Sequence, residues 1–163
     1  MDILNEIEYG FKDKFGNNLI NDLDKWNNFN DFYYLQEPEE LLNSKCGVCW
    51  DQVELERYLF NKEGIYVRTY FIYMDDKDNL PSHTFLIYEE NNRYYWFEHS
   101  WNKYKGIYEY FDLNSLLNDV KNKFKEEYNL DGVLYLYEYR KPKKHIRCND
   151  FYKYIETEKR IDN

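Results

Sequence analysis

Alanine is absent from the whole 163-residue chain, and since Asn, Lys and Tyr are overused, the bias reads as genome base composition rather than function. Cysteine is scarce. Three residues, an odd number without framework spacing, exclude a disulfide-stapled scaffold. No apolar run approaches membrane-spanning length. The opening MDILNEIEYGF has neither a basic n-region nor an apolar stretch, so a reducing cytoplasmic setting with no membrane partner is the expectation. Positive charge is also short: 22 Lys and Arg stand against 31 Asp and Glu, a formal net charge of -9. That argues against a general nucleic-acid binder, whose affinity rests on neutralising phosphates. Repeats, low-complexity tracts and linkers are missing as well, so residues 1–163 read as a single domain, large enough to bury a core without disulfides or metals.

What the chain has in excess is aromatic surface. Its 19 Tyr and 11 Phe predict an aromatic core with hydroxyls reaching its edge. Residues 2 to 43 read as interrupted helices, with Ile3, Leu4, Ile7 and Phe11 at helical spacing, a break at Gly16-Asn17-Asn18, then Leu19, Ile20, Leu23 and Trp26. Asn27 to Asp31 reads as a loop, and Pro38 with Glu39 and Glu40 opens a short helix. Ile65 to Met74 is β-branched and aromatic, a strand. Ser82–Tyr88 and Arg93–His99 flank Glu89-Glu90-Asn91-Asn92 as a hairpin. Asp112 to Tyr128 carries an amphipathic helical period, and Val133 to Tyr139 is a further strand. Arg140 to Arg147 is a basic connection, and Asp150 to Lys159 a last helix. Helices followed by an antiparallel sheet with one inserted helix make the fold class α+β.

The stretch KCGVCWDQVELERYLF, residues 45 to 60, places Cys49 where an amphipathic helix begins, with Val53, Leu55, Leu59 and Phe60 as its apolar face. Unpaired N–H groups and the helix dipole at such a terminus favour the thiolate, the nucleophilic form. Asp51, in the first turn, suits a dipole partner. Downstream, His83 starts one strand of the hairpin and Glu98 lies near the end of the other. A thiol, an imidazole to take and return its proton, and a carboxylate to orient the ring are the parts that cysteine nucleophilic catalysis needs. A two-residue loop at Asn91-Asn92 puts Glu98, rather than His99, on the face of His83.

The local motifs sharpen this reading. Gly47-Val48-Cys49-Trp50 resembles the Gly-x-Cys-Trp nucleophile motif of the transglutaminase-like superfamily of papain-fold thiol enzymes, in the manner of a short bacterial-type member. Gly64-Ile65 resembles that family's entry into the next strand, and His83-Thr84-Phe85 its His-Ala-Trp. Tyr94-Tyr95-Trp96-Phe97-Glu98-His99-Ser100-Trp101 is similar to its Trp-Tyr-x-x-Asp-x-Thr-Trp. The likeness covers roughly residues 45 to 101. Glu98 stands where the family has Asp, and Phe85 where it has Trp. The resemblance implies a papain-like core in which the nucleophile helix packs on an antiparallel sheet under N-terminal helices. It implies Cys49 as nucleophile, His83 as base, Glu98 as orienting acid, and Trp50, Trp96 and Trp101 as substrate contacts. The implied reaction is acyl transfer or hydrolysis on a peptide or protein amide, with no metal or cofactor.

Three other readings compete. Cys46-Gly47-Val48-Cys49 is also a C-x-x-C at a helix start, as in thiol redox proteins, with Pro81 as the neighbouring proline; but the polar residues from Gln36 to Lys45 do not suit the buried strand that fold needs. A catalytically degenerate member would bind a protein partner and transform nothing. A zinc site using His145 and Cys148 lacks paired ligand spacing.

Overall fold

The computed structural model describes residues 2–13, 15–20, 29–75, 80–129 and 132–161. A six-stranded antiparallel sheet forms its centre, built from β3 (Val67–Asp75), β4 (Ser82–Glu90), β5 (Arg93–Glu98), β6 (Gly106–Tyr110), β7 (Val133–Tyr139) and β8 (Lys159–Arg160) in the order β6-β5-β4-β3-β7-β8. β3 to β6 run as a meander, and β7 returns to the free side of β3 after helix α4 (Leu113–Tyr128). The fold is α+β, with helices on both faces of the sheet.

Strand alternation sorts the aromatic residues into two layers. Tyr70, Ile72 and Met74 of β3, Phe85 and Ile87 of β4, Trp96 and Leu136 face one way and pack against Leu116, Leu117, Val120 and Phe124 of α4. Each of these side chains contributes about 1.5–3 kcal/mol when fully buried. Val67, Leu86 and Phe97 face the other way, onto Leu55 of helix α3 (Cys49–Lys62), while Phe71, Tyr73, Tyr137 and Tyr139 on the same side meet Trp50, Phe151 and Ile155. Phe151 and Ile155 belong to helix α5 (Cys148–Ile155), which is shorter than the expected Asp150–Lys159 because the chain turns at Glu156 and enters β8.

Other expected elements hold with small shifts of boundary. Helix α2 (Pro38–Ser44) starts on Pro38 and ends at Lys45 in the left-handed region (φ 52°), and Gly64 beyond α3 is likewise left-handed (φ 74°). Asn91 and Asn92 form a two-residue turn with φ 52° and 59°, a conformation Asn tolerates better than most residues. β6 was not anticipated from sequence. Residues 76–79, between β3 and β4 in sequence, lie outside the described residues.

The N-terminal segment corrects the expectation of helices. Asp2–Glu6 is a 3₁₀ turn, and β1 (Gly10–Lys12) pairs antiparallel with β2 (Asn18–Ile20) as a small hairpin, while Phe29–Phe32 (α1) is a helical turn instead of a loop. Leu23 and Trp26 lie outside the described residues. The physical reason is that this segment's backbone pairs elsewhere: the Glu8 N–H donates to the Lys45 carbonyl at 2.9 Å and the Glu8 carbonyl accepts from Gly47 N–H at 3.0 Å. An α-helix would have used both groups internally. The basic run from Arg140 is also tied down, through Lys141 to Glu37 (3.3 Å), His145 to Glu40 (2.8 Å) and Arg140 to Glu158 (2.9 Å).

Gly10 marks the closest approach, since a Cβ there would stand 2.2 Å from the Leu19 carbonyl oxygen and 3.0 Å from Cys46 Sγ. Gly10→Ala is therefore expected to lower stability by about 1–3 kcal/mol through forced backbone displacement. An unchanged urea midpoint would refute that packing.

Candidate active site

The loop from Ser44 to Val48 is where the N-terminal hairpin, α2 and α3 converge, and its polar groups are held from several sides. Gln36 Nε2 donates to the Cys46 carbonyl at 2.8 Å, and Gln52 Nε2 to the Gly47 carbonyl at 3.1 Å. Asp51, in the first turn of α3, accepts from Val48 N–H at 2.9 Å, Gln36 N–H at 2.8 Å and Tyr33 Oη at 3.2 Å. Its role is therefore to pin the helix entry. Burial opposes these donors and pushes the Asp51 carboxyl up to about 7. Gly47 has a steric reason of its own: a Cβ would meet Leu41 Cδ1 at 2.5 Å and Asp51 Cβ at 2.9 Å.

This scaffold aims Cys49 at the end of the sheet where β4 starts and β5 finishes. His83 Nε2 donates to Glu98 Oε2 at 2.8 Å, and both side chains are buried. Glu98 Oε1 accepts from Trp101 N–H at 2.8 Å and from Ser100 Oγ at 3.3 Å, so the carboxylate is fixed at both oxygens. With Nε2 committed, Nδ1 is the ring nitrogen left for Cys49. The hairpin register carries this arrangement: Ile87 pairs with Trp96, which by alternation leaves Glu98 on the face of Phe85 and His83. His99 turns the other way, its Nδ1 bonded to Gln52 Oε1 at 2.9 Å, and burial with the nearby Lys105 charge lowers its pKa to about 4.

Electrostatics separates the three thiols, all of which are free. Burial disfavours the Cys49 thiolate, but the hydrogen bond and charge of His83, with the main-chain N–H of Thr84, outweigh it and lower the thiol's pKa. Burial likewise opposes the His83 imidazolium, yet the Glu98 charge and Cys49 raise its pKa to about 10. Both shifts run in the direction of a thiolate–imidazolium pair. Burial pushes Cys46 and Cys148 up to about 11. Glu56, also buried, has its pKa pushed well above the usual carboxylate value by burial and by the Glu98 charge.

Cys49 opens onto a cleft of about 830 Å³ walled by Tyr9, Phe29, Trp50, Tyr73 and Tyr152. Of the three expected tryptophans, Trp50 lines this cleft while stacking on Phe151 at 4.3 Å. Trp101 sits edge-on to the His83 ring at 5.0 Å. Trp96 corrects the expectation of a substrate contact: at 0% exposure, stacked on Tyr108 at 4.9 Å in the α4 layer, it has no surface to offer. Tyr94 is half-buried in the same layer. Sequence reading gave no site role to Tyr9, Gln36, Gln52 or Thr84: Tyr9 and Gln36 come to the nucleophile loop from distant parts of the chain, and nothing in the local sequence shows which loop carbonyls Gln36 and Gln52 hold.

Among the described residues no group of three or more His, Cys, Asp or Glu side chains gathers to hold a metal. His145 bonds Glu40, while Cys148 Sγ donates to Asn30 Oδ1 at 3.0 Å, so these two serve separate partners. No described helix is long and apolar enough to cross a membrane.

A scan of protein-family models finds none that matches this chain, and a comparison with curated proteins finds no match.

The thiol ordering predicts that limiting iodoacetamide modifies Cys49 before Cys46 or Cys148 at neutral pH. In His83→Ala the charge that lowers the Cys49 pKa is gone, so its alkylation midpoint should rise to or above the ordinary thiol value of about 8.5. Peptide mapping across pH checks this, and an unchanged profile would separate the two side chains.

Proposed function

We propose that the chain is a cysteine-nucleophile acyl-transfer enzyme of the transglutaminase-like, papain-fold type, acting on carboxamide or peptide carbonyls of a peptide or protein. The observation that carries the reading is the buried bond from His83 Nε2 to Glu98 Oε2 at 2.8 Å, with the other edge of the imidazole turned to a thiol at a helix N-terminus. Base, orienting acid and nucleophile have the relations that the chemistry demands.

In the proposed reaction the Cys49 thiolate attacks the carbonyl carbon and forms a C–S bond, and the carbonyl π electrons move to oxygen. Main-chain N–H groups in the first turn of α3 lack intrahelical partners, so that of Cys49 is suited to receive the oxyanion. As the tetrahedral species collapses the C–N bond breaks, and His83 gives its proton to the departing ammonia or amine. The neutral imidazole then takes a proton from water or an incoming amine, which attacks the thioester and releases Cys49 as thiolate. Glu98 holds the ring in the donating orientation and offsets its charge while protonated. The aromatic cleft beside Cys49 suits an extended peptide segment better than a small polar molecule.

The redox reading loses support from the position of Cys46, which is wholly buried with its sulfur under the β1 backbone and its pKa raised. A dithiol exchanging with outside partners would need at least one accessible low-pKa sulfur with a second sulfur poised to resolve it.

Turnover of an activated amide or ester tests the proposal. Cys49→Ala should abolish it, and Glu98→Gln should lower kcat by about 10²-fold or more while leaving the fold intact. His99→Gln should cost far less, because that ring faces Gln52. Equal activity in Glu98→Gln and wild type would remove Glu98 from the mechanism.

A further inference from the structure

The acyl-transfer reading leaves one requirement open. A tetrahedral oxyanion needs at least two donors, and the main-chain N–H of Cys49 is one. The amides nearest the nucleophile are already committed: Gln36 Nε2 points at the Cys46 carbonyl and Gln52 Nε2 at the Gly47 carbonyl. Thr84, also beside the thiol, is 0% exposed and lies on the sheet side, where a substrate oxygen cannot arrive.

Tyr9 is placed differently. The residues on either side of it are clamped to the nucleophile loop by main-chain bonds, Glu8 N–H to the Lys45 carbonyl (2.9 Å), Gly47 N–H to the Glu8 carbonyl (3.0 Å) and Gly10 N–H to the Gly47 carbonyl (3.4 Å). Gly10 also allows the close approach to Cys46 that brings this strand down onto the loop. The Tyr9 ring lines the same cleft as Cys49, and the residue is 36% exposed overall. Its phenolic oxygen lies near the Cys49 thiol and the Cys49 main-chain N–H, the group that a substrate oxyanion would seek.

We propose that Tyr9 is the second oxyanion donor, a catalytic residue contributed by the N-terminal strand. In the resting site its oxygen occupies the place of the substrate oxygen on the Cys49 N–H, and its hydrogen points to the sulfur. When the C–S bond forms, negative charge leaves sulfur for the carbonyl oxygen. The incoming oxygen takes over the Cys49 N–H, and a small rotation redirects the Tyr9 O–H from sulfur to that oxygen. No proton is transferred in this exchange. Desolvation of the phenolic oxygen and the Cys49 charge push its pKa above the ordinary tyrosine value, which favours the protonated, donating form.

This inference rests on the acyl-transfer reading, and two reactions at Cys49 test them apart. Alkylation by iodoacetamide needs a thiolate but forms no oxyanion. Acylation by p-nitrophenyl acetate needs both. Tyr9→Phe, which removes only the hydroxyl, should alkylate within about twofold of wild type on the alkaline plateau of its pH profile, yet acylate about 10²-fold more slowly, the loss associated with one oxyanion donor. Its melting temperature serves as the check on folding. Acylation at the wild-type rate, or an equal fall in both reactions, would overturn the donor role. Faster alkylation together with faster acylation would make Tyr9 a plug over the thiol and overturn it as well. Wild-type protein that alkylates at Cys49 but never acylates would overturn the acyl-transfer reading and the Tyr9 role with it.

Discussion

A buried imidazole between a carboxylate and a thiol is the constraint on which the rest of this structure turns. Removing charged groups from water costs several kcal/mol for each ion, and the cost is recovered only where geometry and additional hydrogen bonds are near ideal. His83 and Glu98 meet at 2.8 Å, and Glu98 is satisfied by Trp101 N–H and Ser100 Oγ at its other oxygen. Those contacts exist because the Asn91-Asn92 turn sets the strand register. A slip of one residue would exchange Glu98 for His99, a neutral ring bonded to Gln52.

The thiol side of the site is held as tightly. The first eight residues of α3, Cys49 to Glu56, are all buried, an unusual depth for a stretch containing Asp51, Gln52, Glu54 and Glu56. Three of these four have a specific outlet: Asp51 takes the loop donors, Gln52 bridges Gly47 and His99, and Glu54 pairs with Arg57 at 2.9 Å. The aromatic excess then acts as filler around these groups, with Trp50 stacked between Phe151 and the edges of Tyr33 and Phe71. The helix entry is held from the surrounding elements, and under the proposed acyl-transfer reading that keeps the Cys49 sulfur in place.

The N-terminal strand links architecture to chemistry. Its backbone closes onto the loop at residues 45–47 through Glu8 and Gly10, and in doing so brings Tyr9 into the cleft that Cys49 lines. A helix there, as the spacing of Ile3, Leu4, Ile7 and Phe11 suggests, would have buried the same apolar residues but left the loop's Lys45 carbonyl and Gly47 N–H without partners. Leu4, Ile7 and Phe11 are indeed buried. Burial at helical spacing is thus met by a bent, partly extended segment, because satisfying the loop's main-chain groups outweighs local helical preference.

By itself the sequence determined the α+β class, most of the helix and strand order after residue 38, the start of α3 on Cys49 and the parity that joins His83 to Glu98. These depend on periodicity, on Gly, Pro and Asn at positions that need them, and on alternation along a strand, all of which are local properties. Tertiary structure alone decided that the N-terminus is a hairpin, that Trp96 is core while Trp50 faces the cleft, that Cys46 is sealed, and that Tyr9 and Thr84 stand beside the thiol. Those outcomes depend on which surfaces meet and which main-chain groups remain to be paired once the sheet has formed. Such pairings join residues far apart in the chain, and no pattern within either segment encodes them.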